Sequence, residues 1–431
     1  MIGLGAWLGI AALAVFLVLG VPVGIAMLAA GLLGLFLTFG PDIAVNYLGT
    51  SLYRESASFV LATIPLFVLM GSLGSNGAVW ERLFEFVYRI VGRVRGGIPM
   101  AIVAAGTLFG SVSGSSSADA AALSKVTIRE AERYGYRKDF ILACISAAAT
   151  AAVMVPPSIT LIVYALLTQT SVARLFAAGI VPGVLSALVL MCVIVVKARR
   201  HPADMPRGPR FRVAEQAKGA ANAAPILVVV LAVIAGIYLG VYTPTEAAAV
   251  GVFGIGVIGA IIGRLRTKQL VSAAREAAET AAMIFLIIIG AFVFGRFMSI
   301  NQIPQQIVQS LSDLPFGRYG ILIVLLVVYL ILGTFMDQLA VQVLTIPIVF
   351  PLITSLDFNP YWFAIVFVKT VEIGLITPPL GLNVYVVSAV AKVPIERAFR
   401  AIWPFVLADV CTLTLLVAFP QITLWLPNIL T

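Results

Sequence analysis

The sequence predicts an all-α polytopic membrane protein with about ten transmembrane spans, built as an inverted-topology repeat with two re-entrant helical hairpins and broken helices. Three observations predict this fold class. Only 11% of the 431 residues are charged and 61% are hydrophobic, whereas soluble proteins are about 25% charged. Apolar runs long enough to span a membrane recur along the whole chain. Two proline pairs, Pro156-Pro157 and Pro378-Pro379, stand in matching surroundings in the two halves.

The apolar runs give the spans, and the basic clusters between them give the orientation. The predicted spans are residues 4–20, 22–39, 57–75, 139–168, 172–196, 223–241, 246–263, 281–300, 361–391 and 399–427. The positive-inside rule assigns the basic clusters to the cytoplasmic side. They lie in segments 82–95, 125–138, 197–218, 264–275 and 392–400. The net charge of +9 therefore reflects orientation in a lipid bilayer, and no nucleic-acid partner is expected.

Two further apolar stretches should not cross the membrane. Residues 98–123 have basic clusters on both flanks, so we interpret them as a hairpin entering from the cytoplasm, with its turn at Ser111–Ser117. Residues 319–354 lie between charge-poor loops, so both ends of this segment are assigned to the opposite side of the membrane. We interpret the segment as a hairpin entering from that face, with a turn at Gly333–Gln338. Non-helical backbone at membrane depth persists only where protein buries it or water reaches it. Each hairpin tip is therefore a candidate site.

The two halves share a layout. Gly110 precedes Pro156 by 46 residues, and Gly333 precedes Pro378 by 45. A Val-Tyr pair follows each proline pair. Because the first half starts outside and the second inside, their topologies are opposite. Inverted repeats with interrupted helices near the midplane are typical of secondary transporters.

The predicted organisation is a first repeat at 1–200, a basic cytoplasmic linker at 201–222 and a second repeat at 223–431. Each repeat should contain an interfacial helix. In residues 79–95 apolar side chains follow the helical period with charges opposite, which favours a helix along the membrane surface. A bent extension of the preceding span is the alternative. Residues 302–314 are the uncharged counterpart.

The broken helices and the hairpin tips together suit a cation and a carboxylate. A proline pair displaces the carbonyls four residues earlier, which lipid cannot satisfy. These are the carbonyls of Ala152, Val153, Gly374 and Leu375. Sodium takes oxygen ligands, and the tips add more of them: Ser113, Ser115, Ser116, Ser117, Thr334 and Asp337. Small residues that only permit close helix packing are the alternative for the tips. The half-helix N-termini near Ser158 and Gly381 could hold an anionic group.

Other intramembrane ionisable residues carry weaker signals. Asp337, at a tip, is the better cation ligand, whereas for Asp119 a cap of the second hairpin helix is the alternative. Lys369 and Glu372 are three residues apart on one helix, which favours a structural ion pair over a transport role. The sequence assigns no role to Arg296 and Asp409.

Enzymatic functions are excluded by the residue inventory. The one histidine, His201, lies in the basic linker, and the three cysteines lie in apolar segments. The stretch Gly110-Ser111-Val112-Ser113-Gly114 resembles the nucleophile-elbow pattern, but it follows no predicted strand and has no histidine partner. No catalytic residue and no resident cofactor are predicted. A passive channel, which conducts without alternating access, is the alternative to a secondary transporter.

Three segments resemble the large membrane subunit (DctM-like) of tripartite ATP-independent periplasmic (TRAP) transporters. They are GSVSGSSSADAAALSKVTI, AAVMVPPSITLIVYALLTQTSVARLFAAGIVPG and GLITPPLGLNVYVVSAVAKVPIERAFRAIWPF, and the resemblance extends over essentially all 431 residues. It implies a sodium-driven, elevator-type importer of organic acids, of the ion-transporter-superfamily type, in the bacterial inner membrane. It also implies two partners, a small four-helix membrane subunit expected as a separate chain and a soluble periplasmic binding protein.

The resemblance also implies where the ions and the substrate bind. One sodium site would combine the first tip with the break before Pro156, using Ser113, Gly114, Ser115, Ser116, Ala152 and Val153. The other would combine the second tip with the break before Pro378, using Gly333, Thr334, Asp337, Gly374 and Leu375. The expected substrate-binding residues are Ser117, Pro156, Pro157, Ser158, Thr377, Pro378, Pro379, Gly381 and Asn383. Both hairpins and the broken spans would form the mobile transport domain.

Overall fold

The computed structural model describes residues 4–51, 53, 57–77, 79–113, 115–262, 265–312 and 317–430, which fold into helices joined by short turns. The helices of the first half are α1 Leu4–Val18, α2 Val23–Phe39, α3 Pro41–Asn46, α4 Thr63–Asn76, α5 Val79–Val91, α6 Gly97–Ser113, α7 Ser116–Arg133, α8 Lys138–Ala152, α9 Ile159–Thr168 and α10 Val172–Arg200. Those of the second half are α11 Val213–Tyr238, α12 Pro244–Ile261, α13 Thr267–Ile300, α14 Ile303–Ser312, α15 Gly317–Phe335, α16 Gln338–Ser355, α17 Pro360–Ile376, α18 Leu382–Ala391, α19 Ile395–Ala418 and α20 Gln421–Leu430.

Eight helices of the described chain are long and apolar enough to cross a membrane, so the protein is a multi-pass membrane protein. The predicted spans 4–20 and 22–39 are shorter helices, of 15 and 17 residues. The predicted spans 139–168 and 361–391 are each interrupted, as their proline pairs indicated. The predicted span 399–427 ends at Ala418, because a proline follows at position 420 and disfavours continuation of the helix.

Polar side chains fix the starts of several helices. Asn359 accepts hydrogen bonds from two backbone N–H groups at the start of α17. Ser158, Ser171 and Asp337 do the same with one N–H group each at the starts of α9, α10 and α16. Such caps satisfy N–H groups that have no partner inside the helix and are worth about 1 kcal/mol each. They define where the chain resumes a helix after each break.

The core lies around the first parts of the two broken helices. Every residue of α8 from Phe140 to Ala152 is buried, and so is every residue of α17 from Trp362 to Ile376. A helix that is buried on all sides belongs to the protein interior rather than to the lipid surface. The first break, at Pro156 and Pro157, is buried, whereas Pro379 and Leu380 of the second break are exposed.

The packing of the two halves follows the same pattern. Helix α6 packs on α8 in the first half, and α15 packs on α17 in the second. The second helix of each hairpin packs on a broken helix of the other half: α7 packs on α18, and α16 packs on α9. The outer helices also exchange partners, since α2 packs on α13 and α12 packs on α4. Each hairpin is thus seated partly on the broken helix of the other half.

The segment 79–95, where an interfacial helix is predicted, contains the helix α5, which ends at Val91. That this helix lies along the membrane surface stays a prediction. Its apolar side chains, among them Trp80 and Leu83, are buried against protein, and the helix packs on α6 and α11. The amphipathic period predicts a buried face but does not distinguish protein from lipid as its cover. The segment 302–314, the predicted counterpart of 79–95, contains the helix α14, which ends at Ser312 within the described residues.

The segment between the halves is shorter and better anchored than the predicted linker 201–222, because α11 already begins at Val213. The remaining linker lies on α5. The Gly208 N–H donates to the Gly92 carbonyl at 3.0 Å, and Arg95 and Arg207 form an isolated β-bridge. The Tyr136 hydroxyl donates to the Pro206 carbonyl at 2.8 Å, and burial raises the pKa of Tyr136 to about 12.

Candidate functional site

The two hairpin tips meet at one cavity. Helix α6 ends at Ser113 and α7 begins at Ser116, while α15 ends at Phe335 and α16 begins at Gln338, so both predicted turns are present. A cavity of about 480 Å³ lies between them. Ser115, Ser116 and Ser117 line one side, and Asp337, Gln338 and Leu339 line the other. The tips of two hairpins far apart in the sequence therefore share one space.

The other walls come from helices outside the hairpins. Helices α4 and α13 contribute Val68, Gly71, Ser72, Ser75, Glu276, Thr280, Met283 and Ile284. The second parts of the broken helices contribute Ile159, Thr160 and Val386. The charged residues of the lining are Asp119, Lys125, Glu276 and Asp337. Among the residues that the structure describes, the cavity thus carries three carboxylates and one ammonium group.

The first tip presents hydroxyl groups at a helix start. Ser115 occupies the N-cap position of α7, and its carbonyl accepts a hydrogen bond from the Asp119 N–H at 3.0 Å. The hydroxyls of Ser115 and Ser117 lie 3.5 Å apart. Asp119 is fully buried in the first turn, where the helix dipole favours a negative charge. Gly114 and the side chain of Ser113, both predicted as sodium ligands, lie outside the described residues.

The second tip presents a carboxylate. Asp337 is exposed to the cavity, and its Oδ1 accepts a hydrogen bond from the Leu339 N–H at 3.0 Å. The buried Thr334 hydroxyl donates to the Ile331 carbonyl at 2.8 Å. Asp337 therefore has two tasks, because it caps α16 and also presents its charge to the cavity.

Thr160 joins the second tip to the first broken helix. Its hydroxyl donates to Gln338 Oε1 at 3.3 Å, and its carbonyl accepts from Gln342 Nε2 at 2.9 Å. All three side chains are buried. Sequence reasoning missed this link, because the two glutamines are polar residues in an apolar hairpin helix and their partner stands about 180 residues earlier. Buried polar side chains opposite a helix break were the available signal.

The two helix breaks share a cis proline pair. The peptide bonds Pro156-Pro157 and Pro378-Pro379 are both cis. The Ala152 carbonyl accepts a hydrogen bond from the Val155 N–H at 3.1 Å, and the Gly374 carbonyl accepts one from the Thr377 N–H at 2.9 Å. A carbonyl oxygen has two lone pairs, so each of these predicted ligands can accept a second interaction.

The paired glycines bring each tip against a break. A Cβ atom at Gly110 would lie 2.3 Å from the Ala152 carbonyl oxygen, and one at Gly333 would lie 2.6 Å from the Val371 carbonyl oxygen. A Cβ atom at Gly374 would lie 2.7 Å from the Gly333 backbone. Only residues without a side chain permit this backbone-to-backbone crossing. The matched spacing of Gly110 and Gly333 thus corresponds to matched helix crossings.

The predicted substrate residues are only partly at the cavity. Ser117 lines it. The lining does not include the other predicted substrate residues: Pro156, Pro157, Ser158, Thr377, Pro378, Pro379, Gly381 and Asn383. The Ser158 hydroxyl accepts from the Leu161 N–H at 3.4 Å and so caps its own helix. The buried Asn383 amide makes no hydrogen bond within the described chain. Helix residues just after each break form the wall instead.

A buried ionic cluster lies behind the tips and corrects one prediction. Lys369 pairs with Asp409 of α19 rather than with Glu372, and Asp409 also accepts from the Thr150 hydroxyl at 3.2 Å. Lys369 was expected to pair along its own helix, but its ammonium group reaches across to the neighbouring helix. Neither Glu372 oxygen makes a hydrogen bond of ordinary geometry within the described residues, although Ser116 lies close enough to interact.

Lys125 is a cavity residue that sequence reasoning placed only among the cytoplasmic charges. It lies on α7, on the same face as Ser117 and Ala121, and all three line the cavity. Residues four apart on a helix share a face, so this spacing was the available signal. Lys125 makes no ion pair in the part of the chain that the structure describes. Its ammonium group is therefore available to an anion.

Comparison with known proteins gives consistent matches. The family model described as "Tripartite ATP-independent periplasmic transporter, DctM component" matches residues 10–422. The chain is 36% identical over 393 residues to the C4-dicarboxylate TRAP transporter large permease protein DctM of Pseudomonas aeruginosa, covering 91% of each chain. It is 31% identical to the sialic acid TRAP transporter large permease protein SiaM of Vibrio cholerae, covering 98% and 97%. The solved YdaH transporter of Alcanivorax borkumensis shares the fold, with a TM-score of 0.65, 16% identity and coverage of 89% and 90%.

Proposed function

The chain belongs to the DctM component family of tripartite ATP-independent periplasmic transporters, and we propose that it imports an organic acid by coupling to sodium. The named relatives carry C4-dicarboxylates and sialic acid, which share a carboxylate group. The observation that carries the proposal is the single cavity at which both hairpin tips meet, with three serines on one side and Asp337 on the other.

The charges of the cavity support sodium coupling. Asp119, Glu276 and Asp337 outnumber Lys125, so the cavity repels an organic anion unless cations enter with it. Sodium at the tips would supply those charges. Coupling then follows without a direct contact between ion and substrate, because each ligand binds better in the presence of the other.

The proposed sodium ligands are the oxygens that the tips and breaks bring together. The first site uses the tip at Ser115 and Ser116 with the carbonyls of Ala152 and Val153. The second uses Gly333, Thr334 and Asp337 with the carbonyls of Gly374 and Leu375. The crossings at Gly110 and Gly333 support both, because they hold each tip against its break. C-terminal ends of half-helices carry partial negative charge, which favours a cation there.

The substrate carboxylate is proposed to bind at the first tip. The Ser117 hydroxyl and the Lys125 ammonium group are donors on one face of α7. The N-terminal N–H groups of α7 point into the same region and favour an anion. Asn383 belongs to the same proposal as a buried amide with unused hydrogen-bonding capacity.

We propose an elevator-type movement because the walls of the cavity come from two groups of helices. The tips and broken helices would move as one body, α6–α9 with α15–α18. The opposite wall, from α4, α5 and α13, would belong to the fixed part. Displacement of one wall past the other exposes the cavity to the other side of the membrane. The proposal includes a small four-helix subunit, a soluble periplasmic binding protein and a place in the bacterial inner membrane.

Uptake in proteoliposomes tests sodium coupling. The chain is reconstituted with the small subunit and the binding protein, and labelled C4-dicarboxylate and sialic acid serve as probes. We expect uptake that requires an inward sodium gradient and the binding protein. Unchanged uptake after replacement of sodium by potassium would reject the coupling, and passive flux without any gradient would indicate a channel.

Asp337→Asn tests the proposed ligand without disturbing the fold. Asparagine caps a helix about as well as aspartate, so this substitution removes the charge and keeps the start of α16. We expect normal expression and assembly but a loss of about 10- to 150-fold in sodium-dependent uptake, since an interaction with a charged ligand is worth about 1.5–3 kcal/mol. Asp42→Asn, at an exposed carboxylate of α3, is the matched control. Wild-type uptake by Asp337→Asn at low sodium would contradict the assignment.

A further inference from the structure

A second cavity, of about 790 Å³, lies at the ends of several helices and is strongly basic. Its lining comes from the start of α8, the end of α10, the linker and the start of α19. The basic side chains that line it are Arg137, Lys138, Lys197, Lys392, Arg397 and Arg400. These residues come from distant parts of the sequence, so the fold and not a local run of charge brings them together.

Most of this positive charge is not neutralised. Arg137 Nη2 donates to Asp139 Oδ2 at 2.8 Å and lies 4.0 Å from Asp204, and Lys138 pairs with Glu132. The hydrogen bond to Asp139 raises the pKa of Arg137, so its charge is permanent. Within the described residues the remaining four cations make no ion pair: Lys197, Lys392, Arg397 and Arg400.

The pocket also has the geometry of an anion site. Helices α8 and α19 both begin at its wall, and their cap residues Arg137 and Pro394 make no capping hydrogen bond. At the start of α8 the Phe140 N–H donates to Asp139 Oδ1 at 3.2 Å, so α19 is the helix whose start has no side-chain acceptor among the described residues. Uncapped N–H groups together with guanidinium and ammonium groups match the oxygens of a phosphate. Lys197 is held in place because its Nζ lies 5.2 Å from the centroid of the Phe140 ring.

An exposed apolar face continues from the rim of the pocket. On α19 the side chains of Trp403, Leu407 and Val410 are 49%, 65% and 39% exposed and follow Arg400 at helical spacing. On the neighbouring α10, Val196 is 47% exposed beside Lys197. A ligand with a phosphate and a hydrocarbon chain would use both features, whereas a free phosphate would use only the first.

We propose that this pocket binds the phosphodiester group of an anionic phospholipid, whose acyl chain lies along the exposed apolar face of α19. Basic pockets between helix ends on the cytoplasmic side are suited to such headgroups. The bound lipid would join α8, α10 and α19 at the headgroup level. The proposal depends only on this pocket and stands apart from the sodium-coupled cycle.

Binding of labelled phosphatidylglycerol to the purified full-length chain in detergent tests the proposal, with phosphatidylcholine as the neutral comparison. Each basic residue near a lipid headgroup raises the affinity about fivefold. The triple variant Lys197→Gln/Arg397→Gln/Arg400→Gln should therefore bind phosphatidylglycerol about 100-fold more weakly. The matched control is Arg199→Gln/Arg200→Gln/Arg210→Gln, three exposed residues outside the pocket with the same change in charge. We expect the control to retain nearly full affinity.

Two results would overturn the proposal: equal losses in the triple variant and its control, or no preference for phosphatidylglycerol over phosphatidylcholine. The single substitution Arg400→Gln, at an exposed side chain, should lower the affinity for phosphatidylglycerol about fivefold. It replaces the triple variant as the test if the triple variant fails to fold.

The source of the phosphate is tested separately. Trp403→Gln/Leu407→Gln should weaken binding of long-chain phosphatidylglycerol and leave the short-chain dihexanoyl form unaffected. Inorganic phosphate should compete weakly with the lipid. Competition by inorganic phosphate as strong as by phosphatidylglycerol would assign the pocket to a soluble anion and reject the lipid.

Discussion

Removing Lys369 should destabilise the protein more than removing its partner Asp409. Both side chains are completely buried, and Asp409 also accepts a hydrogen bond from Thr150. The contact joins α17, α19 and α8 behind the hairpin tips. Glu372 stands one turn from Lys369 and is equally buried. The cluster therefore contains one cation and two carboxylates.

The asymmetry follows from what each substitution leaves behind. Lys369→Met leaves two buried carboxylates without a cation, and breaking a buried ion pair in this way costs about 3–5 kcal/mol. Asp409→Asn leaves Lys369 with Glu372 three residues away as a second partner, so the cost falls to the loss of a charged hydrogen bond, about 1.5–3 kcal/mol. Asp409→Asn/Glu372→Gln removes both partners and should cost more than the two single changes added together.

Unfolding by sodium dodecyl sulfate, followed by circular dichroism in mild detergent, measures these free energies. Lys218→Met and Asp357→Asn are the matched controls, because both side chains are exposed, and each should change the free energy by less than about 0.5 kcal/mol. An Asp409→Asn variant as unstable as Lys369→Met, or strictly additive costs in the double variant, would refute the reasoning that Glu372 is the reserve partner.

Two further predictions concern the cavity and its helix crossings. Gly110→Ala and Gly333→Ala each place a Cβ atom within 2.6 Å of a carbonyl oxygen, so each should lower stability by about 1–3 kcal/mol and abolish uptake, as measured by unfolding and in proteoliposomes. Gly256→Ala, whose Cβ would meet only Leu73 at 3.9 Å, should be neutral, and an equal loss there would contradict the crossing argument. Lys125→Gln should raise the KM for the organic acid about tenfold or more, as expected for a lost charged hydrogen bond. Lys268→Gln is its exposed control, and equal KM values for the two variants would remove Lys125 from the binding site.

The features readable from the sequence are those in which local chemistry determines the backbone. Proline pairs cannot continue a helix, so the breaks at 156–157 and 378–379 are where the sequence places them. The turns after Ser113 and Phe335 follow likewise from serine, glycine and aspartate in otherwise apolar runs. The matched spacing of Gly110 and Gly333 indicated only a shared layout of the two halves, and the structure adds that each glycine lies at a helix crossing.

The features that sequence reasoning missed depend on contacts between distant helices. Spacing along one helix paired Lys369 with Glu372, but Asp409 lies 40 residues away and became its neighbour only through the packing of α19 on α17. Lys125 was assigned to the basic clusters that set the membrane orientation, because the sequence around it does not show that this face of α7 lines a cavity. Thr160 likewise acquired its role from a hairpin of the other half.

The crossed seating of the returning helices has a consequence for biogenesis. Helix α7 rests on α18, which the ribosome makes only after about 250 more residues, a delay of roughly ten seconds or longer at bacterial elongation rates. Until α18 is made, α7 lacks this packing partner. The polar turn of the first hairpin must therefore be shielded from lipid by the insertion machinery or by earlier spans. Maturation of the first half is thus tied to the arrival of the last quarter of the polypeptide, and premature termination there leaves both halves unfinished.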